Sequence, residues 1–284
     1  MFRHLSILVL ILALLISGCG LRVQVPVEGR VGEEVSEAIK IAVPETQEPL
    51  SLTFKFGAGD LKLSPASGPD LVSGSVTYNI PDLKPEIEIE DATVIIQTGK
   101  YNLNGIPNLD KMKNEWDLKI GPYPLALSIE AGAYDGDYEF GGLALTSLTV
   151  KDGASDVKLK FSSPNKAAMD ILRYDTGASE VSMEGLANAN FRAMIFNSGA
   201  GNYTLDFSGE LKHDATVTVD SGVSNVTLII PDGIAAQVSV EGGLLNVSAP
   251  GWEKDSGGVY YQKGSGPLLT IIVDMGAGNL VLAR

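Results

Sequence analysis

Residues 194–205 read MIFNSGAGNYTL, and this stretch decides the fold because its pattern recurs along most of the chain. Apolar residues stand three and five positions before Gly199 and four and six positions after it. Apolar residues spaced two apart on both sides of a glycine turn indicate two β-strands, each with one face directed inward. The stretch therefore predicts a bent pair of short strands.

The same pattern surrounds eight glycines, Gly57, Gly132, Gly153, Gly177, Gly199, Gly222, Gly243 and Gly276. From Gly132 onward the intervals are 21, 24, 22, 23, 21 and 33 residues, and the last interval contains an insertion, GWEKDSGGVYYQKGSG (251–266). Self-similarity at a fixed period is typical of stacked repeats. The sequence predicts an all-β chain, a parallel β-solenoid (β-helix) of about 22-residue coils with an N-terminal β module. A β-sandwich is the alternative, but it has no reason to repeat the same residue columns.

The chain divides into four predicted segments. Residues 1–18 are a lipoprotein signal peptide, and residues 19–47 are the lipidated cysteine and a tether, with a possible edge strand at Ile39–Ala42. Residues 48–120 form the N-terminal β module, and residues 121–284 form the repeat solenoid. No run with the 3.6-residue period of an amphipathic helix interrupts the strands, so helix is not expected.

The N-terminus has the features of an export signal. Arg3 and His4 precede about a dozen apolar residues, fewer than the roughly 20 that a spanning helix needs. The end of this run, Ile16-Ser17-Gly18-Cys19, resembles the lipobox of bacterial lipoproteins. The resemblance implies cleavage before Cys19, acylation of its sulfur by chains such as palmitate, and a location on the extracytoplasmic face of the cell membrane. A plain signal peptide with an incidental cysteine is the alternative.

Composition excludes several classes of function. A formal net charge of −14 repels phosphate backbones, so we expect no nucleic-acid partner. One cysteine and two histidines are too few for a disulfide framework or a Cys/His zinc site. No nucleotide-binding glycine motif is present, and no cofactor is expected.

One polar column accompanies the glycines. The position three after each glycine holds Asp60, Asp135, Asp156, Glu180, Asn202, Asn225, Asn246 or Asn279. Asp and Asn favour turns because their side chains bond to nearby backbone groups, and stacked asparagines can form ladders. A column of bound cations is the alternative. We favour turn chemistry and expect no metal site.

The candidates for catalysis are few. Asp135, Asp137 and Glu139 alternate along one strand, which places them on one face and leaves open a polysaccharide-active enzyme with paired carboxylates. His213 lacks a partnering Gly-x-Ser-x-Gly motif, and we expect a solvated corner histidine. Ser163–Lys166 matches the Ser-x-x-Lys pattern, but its proline and its position between repeats predict a loop. No catalytic residue is assigned.

The insertion holds the best local candidates for binding. Trp252, Tyr260 and Tyr261 lie among glycines, and exposed aromatic side chains on loops often mark binding sites. The alternative is that these rings cap the apolar core at the end of the stack. The sequence leaves both interpretations open.

Several stretches resemble the bacterial toast-rack family, which is related to the C-terminal domain of LiaF-like cell-wall-stress proteins. They include FGAGDLKLSP (56–65), VTYNIPDLKPEIEI (76–89), the segments 114–165 and 188–211, VTVDSGVSNVTLIIPDG (217–233) and GPLLTIIVDMGAGNLVL (266–282). The resemblance covers about residues 48–284. It implies a β-solenoid with an N-terminal β module and transfers no catalytic residues. LiaF-like relatives carry membrane helices and act on a sensor kinase, whereas this chain has the features of a lipid anchor.

These observations favour a non-enzymatic cell-envelope binding or scaffolding module that is held at the membrane by its lipid anchor. The expected partner is a cell-wall glycan or an envelope protein, since extended repeat surfaces suit long or flat partners. A regulatory partner of an envelope-stress membrane sensor is the alternative function. The polysaccharide-active enzyme is a third.

Overall fold

The computed structural model describes residues 31–99 and 111–284. The predicted signal peptide, Cys19 and the first part of the predicted tether lie outside the described residues. The described chain is all-β, which confirms the predicted class, and its short 3₁₀ segments are Pro81–Leu83 and Leu186–Ala189. Within these ranges no helix has the length and apolar character needed to cross a membrane. The strands are β1 Val35–Ile41, β2 Leu50–Pro65, β3 Val72–Tyr78, β4 Pro85–Glu90, β5 Thr93–Thr98, β6 Asn114–Ile120, β7 Pro124–Glu139, β8 Ala144–Lys151, β9 Ala154–Lys160, β10 Met169–Glu184, β11 Phe191–Asp206, β12 Ala215–Ile229, β13 Gly233–Ser248, β14 Glu253–Lys254, β15 Tyr260–Gln262 and β16 Gly264–Ala283.

Neighbouring repeats pair in parallel and in register. Each repeat has a first arm before its pattern glycine and a second arm after it, and most repeats carry both arms on one long strand. In the first arm Tyr174 of β10 is opposite Phe196 of β11, and in the second arm Val181 is opposite Tyr203. The columns predicted from the sequence are therefore rows of directly paired residues.

The order of the repeats in space departs from their order in the chain. The strands of the series lie in the order β2-β7-β8-β10-β11-β12-β16-β13, and β9 pairs with β7 and β10. The Gly57 repeat thus pairs directly with the Gly132 repeat, although the chain between them forms β3 to β6. At the other end β16 lies between β12 and β13. Residues 251–266 make this order possible, because they form the hairpin β14–β15 before the chain returns as β16.

The two arms of β2 are covered separately. The first arm pairs with β5, which pairs with β4, and the second arm pairs with β6, followed by β3 and β1. β1 begins at Val35, earlier than the edge strand expected within the tether. Ile39 and Ile41 of β1 are buried in the core, so this part of the predicted tether is folded.

Apolar residues from both arms fill one continuous core. The Gly132 repeat departs from the column pattern because it carries Gly136 and Tyr138 in the second arm. A Cβ at Gly136 would lie 2.9 Å from the Tyr134 ring and 3.1 Å from the Tyr138 ring, so glycine leaves room for two large aromatic side chains. Both rings are buried.

The pattern glycines are needed because neighbouring backbones approach closely at the bend. A Cβ at Gly199 would lie 2.5 Å from the carbonyl oxygen of Gly177, and one at Gly222 would lie 2.7 Å from that of Gly199. Gly57, in the first repeat of the series, has nothing within 4 Å of the corresponding position. The glycines therefore allow close stacking, and the constraint applies where the Cβ position faces the carbonyl oxygen of a neighbouring repeat, which that of Gly57 does not.

We expect Gly199→Ala to lower the free energy of unfolding by about 1–3 kcal/mol, the usual effect of overpacking, because the new methyl group meets fixed backbone. Gly57→Ala is the matched control and should change it by less than about 0.5 kcal/mol. Chemical denaturation of both variants measures the difference. Equal losses of stability would contradict the close-approach explanation.

Candidate functional site

The polar column three residues after the pattern glycines forms a hydrogen-bonded ladder in one half of the series. In the order of the strands β11, β12, β16 and β13 it holds Asn202, Asn225, Asn279 and Asn246. The amide of Asn225 donates to Asn202 over 2.9 Å, and that of Asn279 donates to Asn225 over 2.7 Å. The amide of Asn246 completes the ladder by donating to Asn279 over 3.3 Å. The stacked asparagines therefore form a ladder, which the sequence predicts as one property of this column.

These asparagines belong to an uncharged surface that we call the asparagine face. It comprises the four ladder asparagines and the outward neighbours two residues further on, Thr204, Thr227, Val281 and Ser248. Parallel in-register strands place equivalent groups about 4.8 Å apart across the face and about 6.7 Å apart along each strand. Within the ladder each amide group has an N–H and a carbonyl lone pair left for a ligand.

The other half of the same column is acidic. Asp60, Asp135 and Asp156 lie opposite one another on β2, β7 and β9. They line a shallow groove, the acidic groove, together with Lys62, Asp137 and Lys158. Burial and the nearby charges of Asp135 and Glu115 raise the pKa of Asp60. In the described ranges no group of three or more His, Cys, Asp or Glu side chains is placed to hold a metal ion.

The three carboxylates considered for catalysis face the same side of β7 but differ in their surroundings. Asp135 and Asp137 are exposed to solvent. Glu139 is half-buried, and its Oε1 accepts hydrogen bonds from the backbone N–H groups of Gly141, over 2.6 Å, and Ser162, over 3.2 Å. Glu139 therefore holds the turn after β7, and the two solvated aspartates lack the burial that distinguishes a general acid.

The remaining catalytic candidates occupy connections between repeats. His213 is half-buried, less solvated than expected, and its Nδ1 lies 3.1 Å from the carbonyl oxygen of Asp214. Ser163–Lys166 lies in a loop, as expected. Within this loop Asn165 is fully buried and bonds to both the N–H and the carbonyl of Leu145, each over 2.8 Å. Asn165 gives the loop a structural role.

The insertion forms a small hairpin against the first arm of β13. Tyr260 and Gln262 of β15 pair antiparallel with Val238 and Ala236. Trp252 and Tyr260 pack against the core, and the ammonium of Lys254 lies 4.5 Å above the Tyr260 ring.

The third aromatic residue of the hairpin, Tyr261, donates a hydrogen bond from its hydroxyl to Asp255 over 3.2 Å. The hairpin covers the edge of the first arm of β13, which is the position of a cap over the end of the stack. Binding of a partner by Trp252, Tyr260 and Tyr261 stays a prediction.

The sequence predicts binding candidates in the insertion and turn chemistry in the polar column. The asparagine face as a surface is not among these predictions. The signal was present, because the column changes from carboxylates to asparagines between Glu180 and Asn202.

We expect Asp60→Asn to raise the free energy of unfolding at pH 7. A raised pKa means that the folded chain binds the proton of Asp60 more tightly than the unfolded chain, so the stability contribution of Asp60 falls as pH rises through the window above its unfolded pKa. The gain should shrink towards pH 3, where the carboxyl is protonated in both states. Urea unfolding at the two pH values measures it, and a gain that is equal or larger at pH 3 would contradict this account.

Comparisons with known proteins identify the family. The model of the N-terminal domain of toast_rack matches residues 30–182 and 164–229. The curated proteins contain no match to this chain.

Among solved structures the chain is similar to a proposed cell adhesion protein from Clostridium sporogenes, at 21% identity, with 88% of this chain and 99% of that one covered and a TM-score of 0.46. It is also similar to a proposed adhesin from Bacteroides fragilis, at 11% identity, with 90% and 100% covered and a TM-score of 0.35. A proposed lipid binding protein from Parabacteroides distasonis has 11% identity, with 89% and 98% covered and a TM-score of 0.37. Because the family model matches well over half of the chain, the protein belongs to the toast-rack family.

Proposed function

We propose that this protein is a lipid-anchored, non-enzymatic binding module of the cell envelope, and that its asparagine face binds an uncharged, extended polymer such as a cell-wall glycan. The observation that carries the proposal is the asparagine ladder across β11, β12, β16 and β13. A polymer with regularly spaced hydroxyl groups matches a surface on which amides and hydroxyls repeat at a fixed spacing.

The distribution of charge supports this choice of surface. The formal net charge of the chain is −14, yet the eight positions of the asparagine face carry no charged side chain. Amide and hydroxyl groups exchange hydrogen bonds with water for hydrogen bonds with sugar hydroxyls, and binding of a neutral polymer to them desolvates no charge. Both columns are charged on β2, β7 and β9, and on β10 the first column holds Glu180 and the second holds Ser182, so the neutral surface has a defined boundary.

The architecture that we propose for the repeat region is a parallel β-solenoid. The parallel, in-register pairing of equivalent residues across β10, β11, β12 and β16 supports it. Such a stack presents each outward column as a straight row, which is the geometry that a linear polymer needs.

The anchor that we propose is Cys19, and it would hold the module on the extracytoplasmic face of the membrane. A diacylglyceryl group provides two acyl chains, which is enough for stable anchoring. The support is the sequence Ile16-Ser17-Gly18-Cys19 after an apolar run of signal-peptide length.

Retention on insoluble cell-wall glycans tests the binding surface. In a soluble chain of residues 22–284, Thr227→Lys should abolish most of the retention because it places a charge in the asparagine face. Thr218→Lys is the matched control, since Thr218 is an equally half-buried outward threonine on the first arm of the same strand, and it should leave retention unchanged.

Two outcomes would contradict this assignment. Absence of retention on every neutral polymer would overturn the glycan partner and direct attention to a protein partner such as a membrane sensor. Loss of retention in Trp252→Ala with full retention in Thr227→Lys would place the site at the hairpin instead.

Replacing the acylated residue tests the anchor. In bacterial cells that express the full chain, Cys19→Ser should leave the signal peptide uncleaved and prevent incorporation of labelled palmitate, because the thiol is the acylation site. Ser17→Ala leaves the cysteine in place and serves as the control. Palmitate labelling that survives in Cys19→Ser would contradict the assignment.

A further inference from the structure

The second arm of β13 is an open sheet edge. Its residues Leu244–Ser248 pair with β16 on one side, and no strand of the described residues pairs with them on the other. The first arm of β13, in contrast, pairs with β16 on one side and with β15 on the other. The hairpin therefore covers one arm of the terminal strand and leaves the other arm bare.

This edge also exposes the end of the core. Leu244 is 82% exposed, and Leu245, Val247 and Ala249 pack against the core while remaining only half-buried. Open edges with apolar side chains are templates for pairing with another chain, and proteins usually protect them with charges, proline or a covering segment.

The other outer strands of the described sheet have such protection. β4 reads PEIEIE, β14 reads EK, and β1 contains Glu37 and Lys40. Residues 242–252 read GGLLNVSAPGW and contain no charged side chain, in a chain whose net charge is −14. The edge of β13 is thus a place where two copies can approach without bringing carboxylates together.

The parts of this chain that lie outside the described residues start far from the edge. Gly32 bonds to Asn79 at the end of β3, and nine strand spacings, about 43 Å, separate β3 from β13. After the cleavage before Cys19 that we propose, residues 19–30 could span at most about 43 Å when fully extended, and pairing would use several of them. The described residues on either side of 100–110 also lie far from this edge, since Gly99 bonds to Lys84 next to β4 and Lys113 bonds to Asn79 next to β3.

We propose that this edge binds a second copy of the same chain. The two Leu244–Ser248 segments pair antiparallel about a two-fold axis at Asn246, which is the self-complementary arrangement of an isologous dimer. In this register Leu245 lies opposite Val247 of the second copy, so the apolar residues of both cores meet. Asn246 lies opposite its own counterpart, and the asparagine ladder continues from one copy into the other.

Cysteine trapping tests the dimer. A soluble chain of residues 22–284 contains every strand of the described residues and lacks Cys19, so an introduced cysteine is its only thiol. Under mild oxidation Asn246→Cys should form a disulfide-linked dimer about tenfold more than Asn202→Cys does, which corresponds to ~1.4 kcal/mol of preferred pairing. Asn202 is the matched control because it occupies the same column on β11, which is paired on both sides.

Sedimentation of the soluble chain without cysteines provides the second measurement. The parent should dimerise with increasing concentration, and Leu244→Lys should shift it to monomer, because this exposed position places the lysine at the open edge without entering the core. Val223→Lys adds the same charge at an exposed valine on β12, which is paired on both sides, and should still dimerise.

Three results would overturn the proposal. They are a parent that stays monomeric at all concentrations, equal trapping of the two cysteine variants, and dimerisation that survives Leu244→Lys. None of these results bears on retention by glycans, so the dimer and the proposed function can fail independently.

Discussion

The structure depends on the close approach of backbones at the glycine bend. From the Gly132 repeat onward, a side chain on a pattern glycine would meet the carbonyl oxygen of the pattern glycine on a neighbouring strand, as Gly199 would meet that of Gly177. This contact holds neighbouring repeats in one register, because a shift by one residue would bring a larger side chain against the carbonyl and turn the apolar columns outward. Once the register is set, each outward column becomes a row, and asparagines at one column position become a ladder.

Stacking of this kind leaves two open ends, and the chain treats them differently. At the β2 end, strands β3 to β6 and β1 cover both arms. At the β13 end the hairpin covers one arm, and the segment Leu244–Ser248 is left bare and uncharged. The two ends also differ in their outward columns, since carboxylates occupy the column near β2 and asparagines occupy it near β13. The proposed glycan surface and the proposed dimer edge therefore lie at the same end of the series.

The all-β class and the columns could be predicted from the sequence, because one pattern with a fixed period determines both. The glycines were predicted as turns between two strands, whereas most of them lie within one long strand and are constrained by the neighbouring backbone. The order of β16 and β13 could not be predicted, since both strands carry the same apolar columns and either one could pair with the edge of β12. The 33-residue interval before Gly276 was the only signal of the crossing. Packing of Trp252 and Tyr260 against the core was one of the two interpretations that the sequence left open, because the choice depends on where the insertion lies. The role of Glu139 could not be predicted, since its partners Gly141 and Ser162 are set by the turns.

Disulfide trapping between two strands tests the central claim, the order of rows that builds the asparagine face. Thr227 of β12 is paired with Val281 of β16, and Val281 is paired with Ser248 of β13. Paired residues of neighbouring strands lie about 4.8 Å apart, within reach of a disulfide, whereas residues two strands apart lie about 9.6 Å apart, beyond its reach. We expect an intramolecular disulfide in Thr227→Cys/Val281→Cys and none in Thr227→Cys/Ser248→Cys. The reverse result would mean that the repeats stack in chain order and would contradict the account.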